Sequence, residues 1–299
     1  RILRAPESGR QLRHEMRRAW VEVDLGALRR NATALAHRSQ APLLPMVKAD
    51  AYGHGAPAVA KQALRAGADS LGVLTVAEAE ALRRSGIRAP IQLLSPILPE
   101  HARKAAALRL TPTVDDLRQA AALDAAAPAR GLPIHIDLDF GLGRWGIAPR
   151  NLPDFIKGLA RRRRLRLAGI STHIDYVPGK NTVEAEEKLR AFSRLATRFK
   201  RDHAGLVCHA ANSSVLMDFP HWQMDMVRVG NLLYGINPAA SKISPLKNPW
   251  RFCARVIALR RVIKGSPIGY ASEYMAPRTM LVATLPAGYA DGLTMEPAE

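Results

Sequence analysis

The sequence predicts an α/β chain: a TIM (β/α)8 barrel followed by an incomplete, mostly-β C-terminal domain. Three observations predict it. Eight short β-type runs alternate with helical ones between residues 43 and 234, close to the roughly 200 residues a small barrel needs. Unusual polar residues gather at the expected C-terminal ends of those runs. After Pro238 the helical texture stops and strand-like runs continue alone.

Residues 43–48 read as the first barrel strand, an apolar run closed by Lys48. Residues 56–66 read as a helix, because Val59, Ala60, Ala63 and Leu64 share one face. Residues 70–75 are strand-like, and Thr75 with Glu78 gives a capping-box signal ahead of a helix over 79–84. Strand 91–94 leads to helix 100–108, strand 111–114 to helix 115–126, and strand 134–138 to helix 152–159. Strand 167–173 precedes the long helix 184–202, and strands 206–209 and 226–234 complete the set. Further on, 252–262 is a strand-like run with basic residues, 264–267 a turn and 280–285 another strand. The expected division is a basic N-terminal segment over 1–18, a barrel over 19–240 and a partial β-rich domain over 241–299.

A chain of 299 residues with 47% hydrophobic content can fill a barrel core. No run approaches the roughly 18 unbroken apolar residues of a membrane span, so no membrane partner is expected. Residues 1–19 are basic and lack an apolar stretch, so no secretory signal is expected. Cys208 and Cys253 are the only cysteines, which leaves no disulfide framework or zinc spacing and favours a reducing cytoplasm. The formal charge of +18 would suit a nucleic-acid partner. The densest basic run, Arg161 to Arg164 with Arg166, has no interleaved aromatics and follows a helix whose C-terminal dipole it complements. A solvated face is the expected reading, with no nucleic-acid partner. The chain opens on Arg1 and ends at Glu299 soon after a Gly-rich loop, so an excised or incomplete product is expected.

Lys48 closes the first strand. Asp137 and Asp139 end the fifth, ahead of Gly141-Leu142-Gly143-Arg144, and His173 ends the sixth. Asn212 and Ser213 follow the seventh, and Arg228 and Gly230 lie at the eighth. In this fold the C-terminal face carries the chemistry. An isolated lysine at a barrel mouth suits covalent chemistry with a carbonyl, although a lone lysine commonly only snorkels to solvent. Taken singly, Tyr52, His173 and Tyr270 would each read as structural.

The segments holding these residues resemble the alanine racemase family. Val47-Lys48-Ala49-Asp50-Ala51-Tyr52-Gly53-His54-Gly55 resembles its pyridoxal 5'-phosphate (PLP) lysine motif. Asp139-Phe140-Gly141-Leu142-Gly143-Arg144-Trp145-Gly146 resembles its D-T-G-M-G-R stretch, and Thr172-His173 its T-H pair. His209-Ala210-Ala211-Asn212-Ser213 and Asp225-Met226-Val227-Arg228-Val229-Gly230 follow in the family's order. Tyr270 and Gly288-Tyr289-Ala290-Asp291-Gly292 complete the likeness, which spans about residues 19–292.

The resemblance implies a PLP-dependent racemase interconverting L- and D-alanine by two bases. Lys48 would hold PLP covalently and work on the D-side proton, and Tyr270 would work on the L-side proton. Both groups ordinarily titrate near 10, so the site must adjust them. Arg144 would bond the phenolic oxygen of the cofactor and help position Tyr270. Tyr52, Asn212, Ser213 and the N–H of Gly230 would serve the phosphate end, with Asn231 standing where an aliphatic residue is common. His173 would pack on the pyridine ring. Arg228 would donate to the ring nitrogen without giving up its proton, because a guanidinium titrates above about 12. Asp139 and Tyr289 would support the site.

Many family members carry a carbamylated lysine where this chain has Asp137. That aspartate is expected to replace the carbamate and hold Arg144, or else simply to end its strand. The family continues beyond the G-Y-A-D-G loop with a Met-Asp pair and a further tyrosine absent here, and the remaining β segment is expected to be too short to close its own core. The implied partners are an amino-acid substrate and a second copy in a head-to-tail homodimer. The implied setting is the cytoplasm, with D-alanine destined for peptidoglycan. A broader serine-type racemase and an inactive PLP-binding barrel are the alternatives.

Overall fold

The computed structural model describes residues 18–242 and 246–294. The segment expected over 1–18 lies outside the described residues except for Arg18, as do 243–245 and 295–299 of the expected C-terminal domain. The chain divides into two compact units, Leu25–Pro249 and the segments on either side of it.

The strand β1 (Ala19–Val23) belongs to the flanking unit. The larger unit holds eight strands: β2 (Leu43–Pro45), β3 (Leu71–Val73), β4 (Ile91–Leu93), β5 (Leu110–Val114), β6 (Leu132–Leu138), β7 (Leu165–Thr172), β8 (Val207–His209) and β9 (Val227–Val229). Strands β3 to β8 form one parallel sheet in chain order, and β2 pairs in parallel with β9, Leu44 opposite Arg228. A parallel bridge between Met46 and Gly72 joins β2 to β3. Arg228 N donates to Ala211 O and Asp225 N to Cys208 O, which ties β9 to β8 and the residues after it. This is the TIM-barrel arrangement, its short strands buried on both faces as parallel strands under helices must be.

The helices are α1 (Leu25–Arg38), α2 (Ala56–Arg65), α3 (Val76–Arg84), α4 (Ala102–Ala107), α5 (Leu117–Ala126), α6 (Leu152–Leu159), α7 (Thr182–Asp202) and α8 (Ser213–Asp218). The capping box at α3 is present: Glu78 N donates to Thr75 Oγ1 at 3.1 Å, and Thr75 N donates to Glu78 Oε2 at 3.0 Å. Ile134 of β6 pairs with Leu167 of β7, but His135 pairs with Gly169, so Ala168 is the extra residue of a bulge.

Three expected runs differ in detail. The strand expected over 43–48 stops at Pro45, and Lys48 opens a turn, Lys48–Gly53, in which Ala49 to Tyr52 take φ of 49° to 56°. Left-handed backbone costs non-glycine residues about 1–2 kcal/mol each. Here Ala49 N donates to Glu78 Oε1 and Ala56 N to Asp50 Oδ1, both at 2.7 Å, which holds the turn. The strand expected over 226–234 is β9 followed by a 3-10 turn, Asn231–Tyr234, because the backbone leaves extended geometry at Gly230. The run over 252–262 is two strands with different partners. Strand β10 (Trp250–Ala254) pairs antiparallel with β1, and β11 (Ala258–Val262) with β14 (Met280–Thr284). Strands β12 (Pro267–Ile268) and β13 (Tyr274–Met275) form a small hairpin. Because β1 pairs with β10, the barrel unit starts at Leu25 rather than at 19.

Candidate active site

The C-terminal ends of the parallel strands surround a cavity of about 230 Å³. Lys48, Tyr52, Asp137, Arg144, His173, Asn212, Ser213, Arg228, Gly230 and Asn231 all line it. Residues that lie far apart in sequence meet here because they sit near the C-terminal ends of the barrel strands or in the loops that follow them.

Arg228 lies on the cavity floor, 6% exposed. Its Nη1 donates to His209 Nδ1 at 2.7 Å and to the His209 carbonyl at 3.0 Å. Its Nη2 donates to the carbonyls of Thr172 at 2.7 Å and Ala210 at 3.1 Å, with His173 Nδ1 at 3.4 Å. Among the described residues Nε has no hydrogen-bond partner, so one guanidinium N–H is left for whatever fills the cavity. Burial pushes the guanidinium pKa down to about 10, which still leaves it cationic at neutral pH. The same burial, with the charge of Arg228, pushes His173 down to about 3, so its ring is neutral.

Lys48 is half-buried. Burial and then the charge of Arg144 lower its pKa, against the opposing pull of Glu78. A lowered amine is more often unprotonated, the form that attacks a carbonyl or accepts a proton. On the far side, Gly230 N donates to Ser213 Oγ at 3.1 Å. A Cβ at position 230 would collide with the Tyr52 hydroxyl, so only glycine lets these groups close together. Asn212 also caps α8, accepting from Val215 N at 3.0 Å.

Asp137 and Arg144 both face the cavity, but no hydrogen bond joins them. Asp137 Oδ1 accepts the Ser171 hydroxyl at 2.6 Å. The Arg144 guanidinium instead lies over the Trp145 ring at 3.6 Å from its centre. The pair is coupled by charge alone, each affecting the other's ionisation. Burial pushes the Asp137 carboxyl up to about 6. Asp139 does not reach the cavity; it accepts from Gly141 N at 2.8 Å and Gly143 N at 3.2 Å and so shapes the loop that carries Arg144. Tyr270 and Tyr289 belong to the other unit, on short 3-10 turns, 96% and 72% exposed.

Sequence reasoning passed over Ser171, and treated Trp145 and His209 only as parts of motifs. The usable signal for Ser171 was its place beside Thr172-His173 at a strand end. Trp145 carried no such signal, since stacking depends on a rotamer.

The arrangement suits PLP. The cradle of Ser213, Gly230 and Tyr52 would take its phosphate, the unpartnered Arg228 Nε its ring nitrogen, and the Lys48 amine its aldehyde. Comparison with known proteins gives an independent result. The chain matches the family model for the alanine racemase N-terminal domain over residues 23–238 and that for the alanine racemase C-terminal domain over 250–298. It is 38% identical over 288 residues to an alanine racemase of Symbiobacterium thermophilum, covering 93% of this chain and 75% of that one. Among solved structures it is similar to alanine racemase from Bacillus anthracis with bound L-Ala-P, at a TM-score of 0.82 and 31% identity, over 96% of this chain and 75% of the other. It is also similar to alanine racemase from Bartonella henselae with covalently bound pyridoxal phosphate, at a TM-score of 0.79 and 25% identity, over 92% and 77%.

Proposed function

The chain belongs to the alanine racemase family, and from that premise we propose that it interconverts L- and D-alanine with PLP held on Lys48. The observation that carries the proposal is the convergence of the Lys48 amine, the Arg228 Nε and the Ser213–Gly230–Tyr52 cradle on one cavity. When bound, PLP supplies the electron sink that makes the α-proton of an amino acid removable.

The side chains divide the remaining work. Ser213, the Gly230 N–H and Tyr52 anchor the phosphate end, with Asn212 and Asn231 beside them. His173, kept neutral, packs against the ring without adding charge. Arg228 stays cationic and would donate a hydrogen bond to the ring nitrogen while retaining its own proton. Lys48, with its lowered pKa, accepts or returns the α-proton on the D face. Tyr270 would do so on the L face, and Arg144 would bond the phenolic oxygen of the cofactor.

Tyr270 is 96% exposed, which supports a head-to-tail homodimer in which this tyrosine serves the partner's cavity. Among the described residues no helix is long and apolar enough to cross a membrane. We place the enzyme in the cytoplasm, supplying D-alanine for peptidoglycan. The relatives reported above are all named alanine racemase, and none favours a serine-type racemase or an inactive binding barrel. The deciding experiment supplies PLP and follows racemisation of L-alanine beside L-serine and L-lysine. L-alanine should turn over fastest, and absence of solvent exchange at its α-carbon would end the proposal.

A further inference from the structure

Beneath the cavity the barrel interior is polar where such barrels usually pack Val, Ile and Leu. Gln92 of β4, His135 of β6 and His209 of β8 come from alternate strands, which is how one interior layer of a barrel is built. They are 5%, 6% and 0% exposed. Neither Gln92 nor His135 lines the cavity. Buried polar groups are costly unless satisfied, and these satisfy one another. Gln92 Nε2 stands 2.9 Å from His135 Nδ1, and His135 Nδ1 stands 2.9 Å from His209 Nε2; Gln92 Nε2 and His209 Nε2, 3.3 Å apart, both approach that one ring nitrogen.

The seat for His135 is built by the backbone. The bulge at Ala168 sets His135 opposite Gly169, and a Cβ at 169 would collide with the imidazole. A bulge that re-aims a side chain next to a site is a common device.

The direction of the hydrogen bonds follows from one fact: a guanidinium only donates. Arg228 Nη1 therefore donates to His209 Nδ1, which must be unprotonated. The proton of neutral His209 is then on Nε2, facing His135 Nδ1, which must accept it. The amide N–H of Gln92 converges on the same acceptor. Arg228 at one end and Gln92 at the other thus impose the same polarity. Burial keeps both rings neutral, His135 down to about 4 and His209 well below its ordinary value.

We propose that Gln92 and His135 are positioning residues for Arg228: they fix His209 as the Nε2–H tautomer, which grips Nη1 and leaves Nε free for the cofactor ring. The proposal rests on the PLP reading above, and its test separates the two. In ligand-free protein carrying ¹⁵N-histidine, His209 should show a protonated Nε2 and a bare Nδ1 at pH 7. A proton on Nδ1, or on both nitrogens, would overturn the proposal whether or not PLP binds. Protein that takes up no PLP would sink the functional reading and leave the tautomer result standing.

Two variants then test the coupling. Gln92→Glu puts an acceptor where the amide donates, so His135 Nδ1 should acquire a proton and His209 should lose its acceptor. The PLP dissociation constant should rise about tenfold, the worth of one hydrogen bond to a charged group. Gln92→Leu only removes a donor and should give a smaller rise. Variants that melt earlier but keep wild-type PLP affinity and His209 shifts would show a merely structural layer and overturn the proposal. Should Gln92→Glu fail to fold, Gln92→Leu decides, by its PLP affinity and its His209 shifts.

Discussion

Ser213 Oγ lies 3.1 Å from the Gly230 backbone nitrogen, and the Gly230 α-carbon faces the Tyr52 hydroxyl so closely that no side chain fits between. Three elements meet at this point: the left-handed turn after β2, the start of α8 and the end of β9. The cradle is therefore a product of barrel closure, which pairs β2 with β9.

Gly230→Ala should weaken PLP binding more than Ser213→Ala does. An added methyl in a close-packed site costs about 1–3 kcal/mol, roughly tenfold or more in affinity. Loss of the serine hydroxyl removes one bond and leaves the space intact. Titration of each variant with PLP, followed by the absorbance of the bound cofactor, compares them. Equal affinity for Gly230→Ala and wild type would contradict the geometry.

Lys48 should be the amine that joins PLP. Burial and the charge of Arg144 lower its pKa, which raises its share of the free amine that attacks an aldehyde. Borohydride reduction of the loaded protein, then peptide mass spectrometry, should find one pyridoxyl adduct, on Lys48. Lys48→Ala should show none, and an adduct of equal yield elsewhere would refute the assignment.

Asp137 gives a pH-dependent prediction for the ligand-free protein. Its folded pKa, about 6, is above the ordinary aspartate value, so the folded state retains a proton that the unfolded chain releases. That contribution is fully present below about pH 4 and is lost as pH rises through about 6, at most roughly 3 kcal/mol. Buried His135, His173 and His209 act in the opposite sense, their pKa values being lowered. They are common to wild type and Asp137→Asn, so the difference between the two isolates Asp137. Denaturant unfolding should find the Asn variant gaining on wild type between pH 4 and pH 7. A difference that does not change with pH would refute it.

The barrel was legible in the sequence because each strand is an apolar run bounded by a helix with its own signal, as at Thr75 and Glu78. The cavity residues were legible because strand ends and family-like motifs coincide at Lys48, Ser213 and Arg228. The turn after Lys48 was not, since Ala49 to Tyr52 have no glycine to announce positive φ; Glu78 holds its first N–H from another element, and Asp50, within the turn, accepts from Ala56 N. Nor was the partner of Asp137. The family resemblance implied a bond to Arg144, but the carboxylate takes the Ser171 hydroxyl from the adjacent strand, and Arg144 lies on Trp145. The polar layer under the cavity needed the bulge at Ala168, a feature of pairing that a single strand does not encode.

Tyr270→Phe separates the two bases. The substitution keeps the ring and removes the hydroxyl proposed to carry the proton on the L face. Lys48 and the cradle are untouched, so PLP uptake should match wild type. Loss of a positioned acid or base costs about 10²–10⁴-fold, and racemisation should fall by that amount. The more telling readout is exchange of the α-hydrogen in D₂O, followed by NMR for each enantiomer. D-alanine meets Lys48 and should still exchange, whereas L-alanine, which needs Tyr270, should not. Exchange of both enantiomers at wild-type rates would remove Tyr270 from the chemistry and assign the second proton transfer to another group.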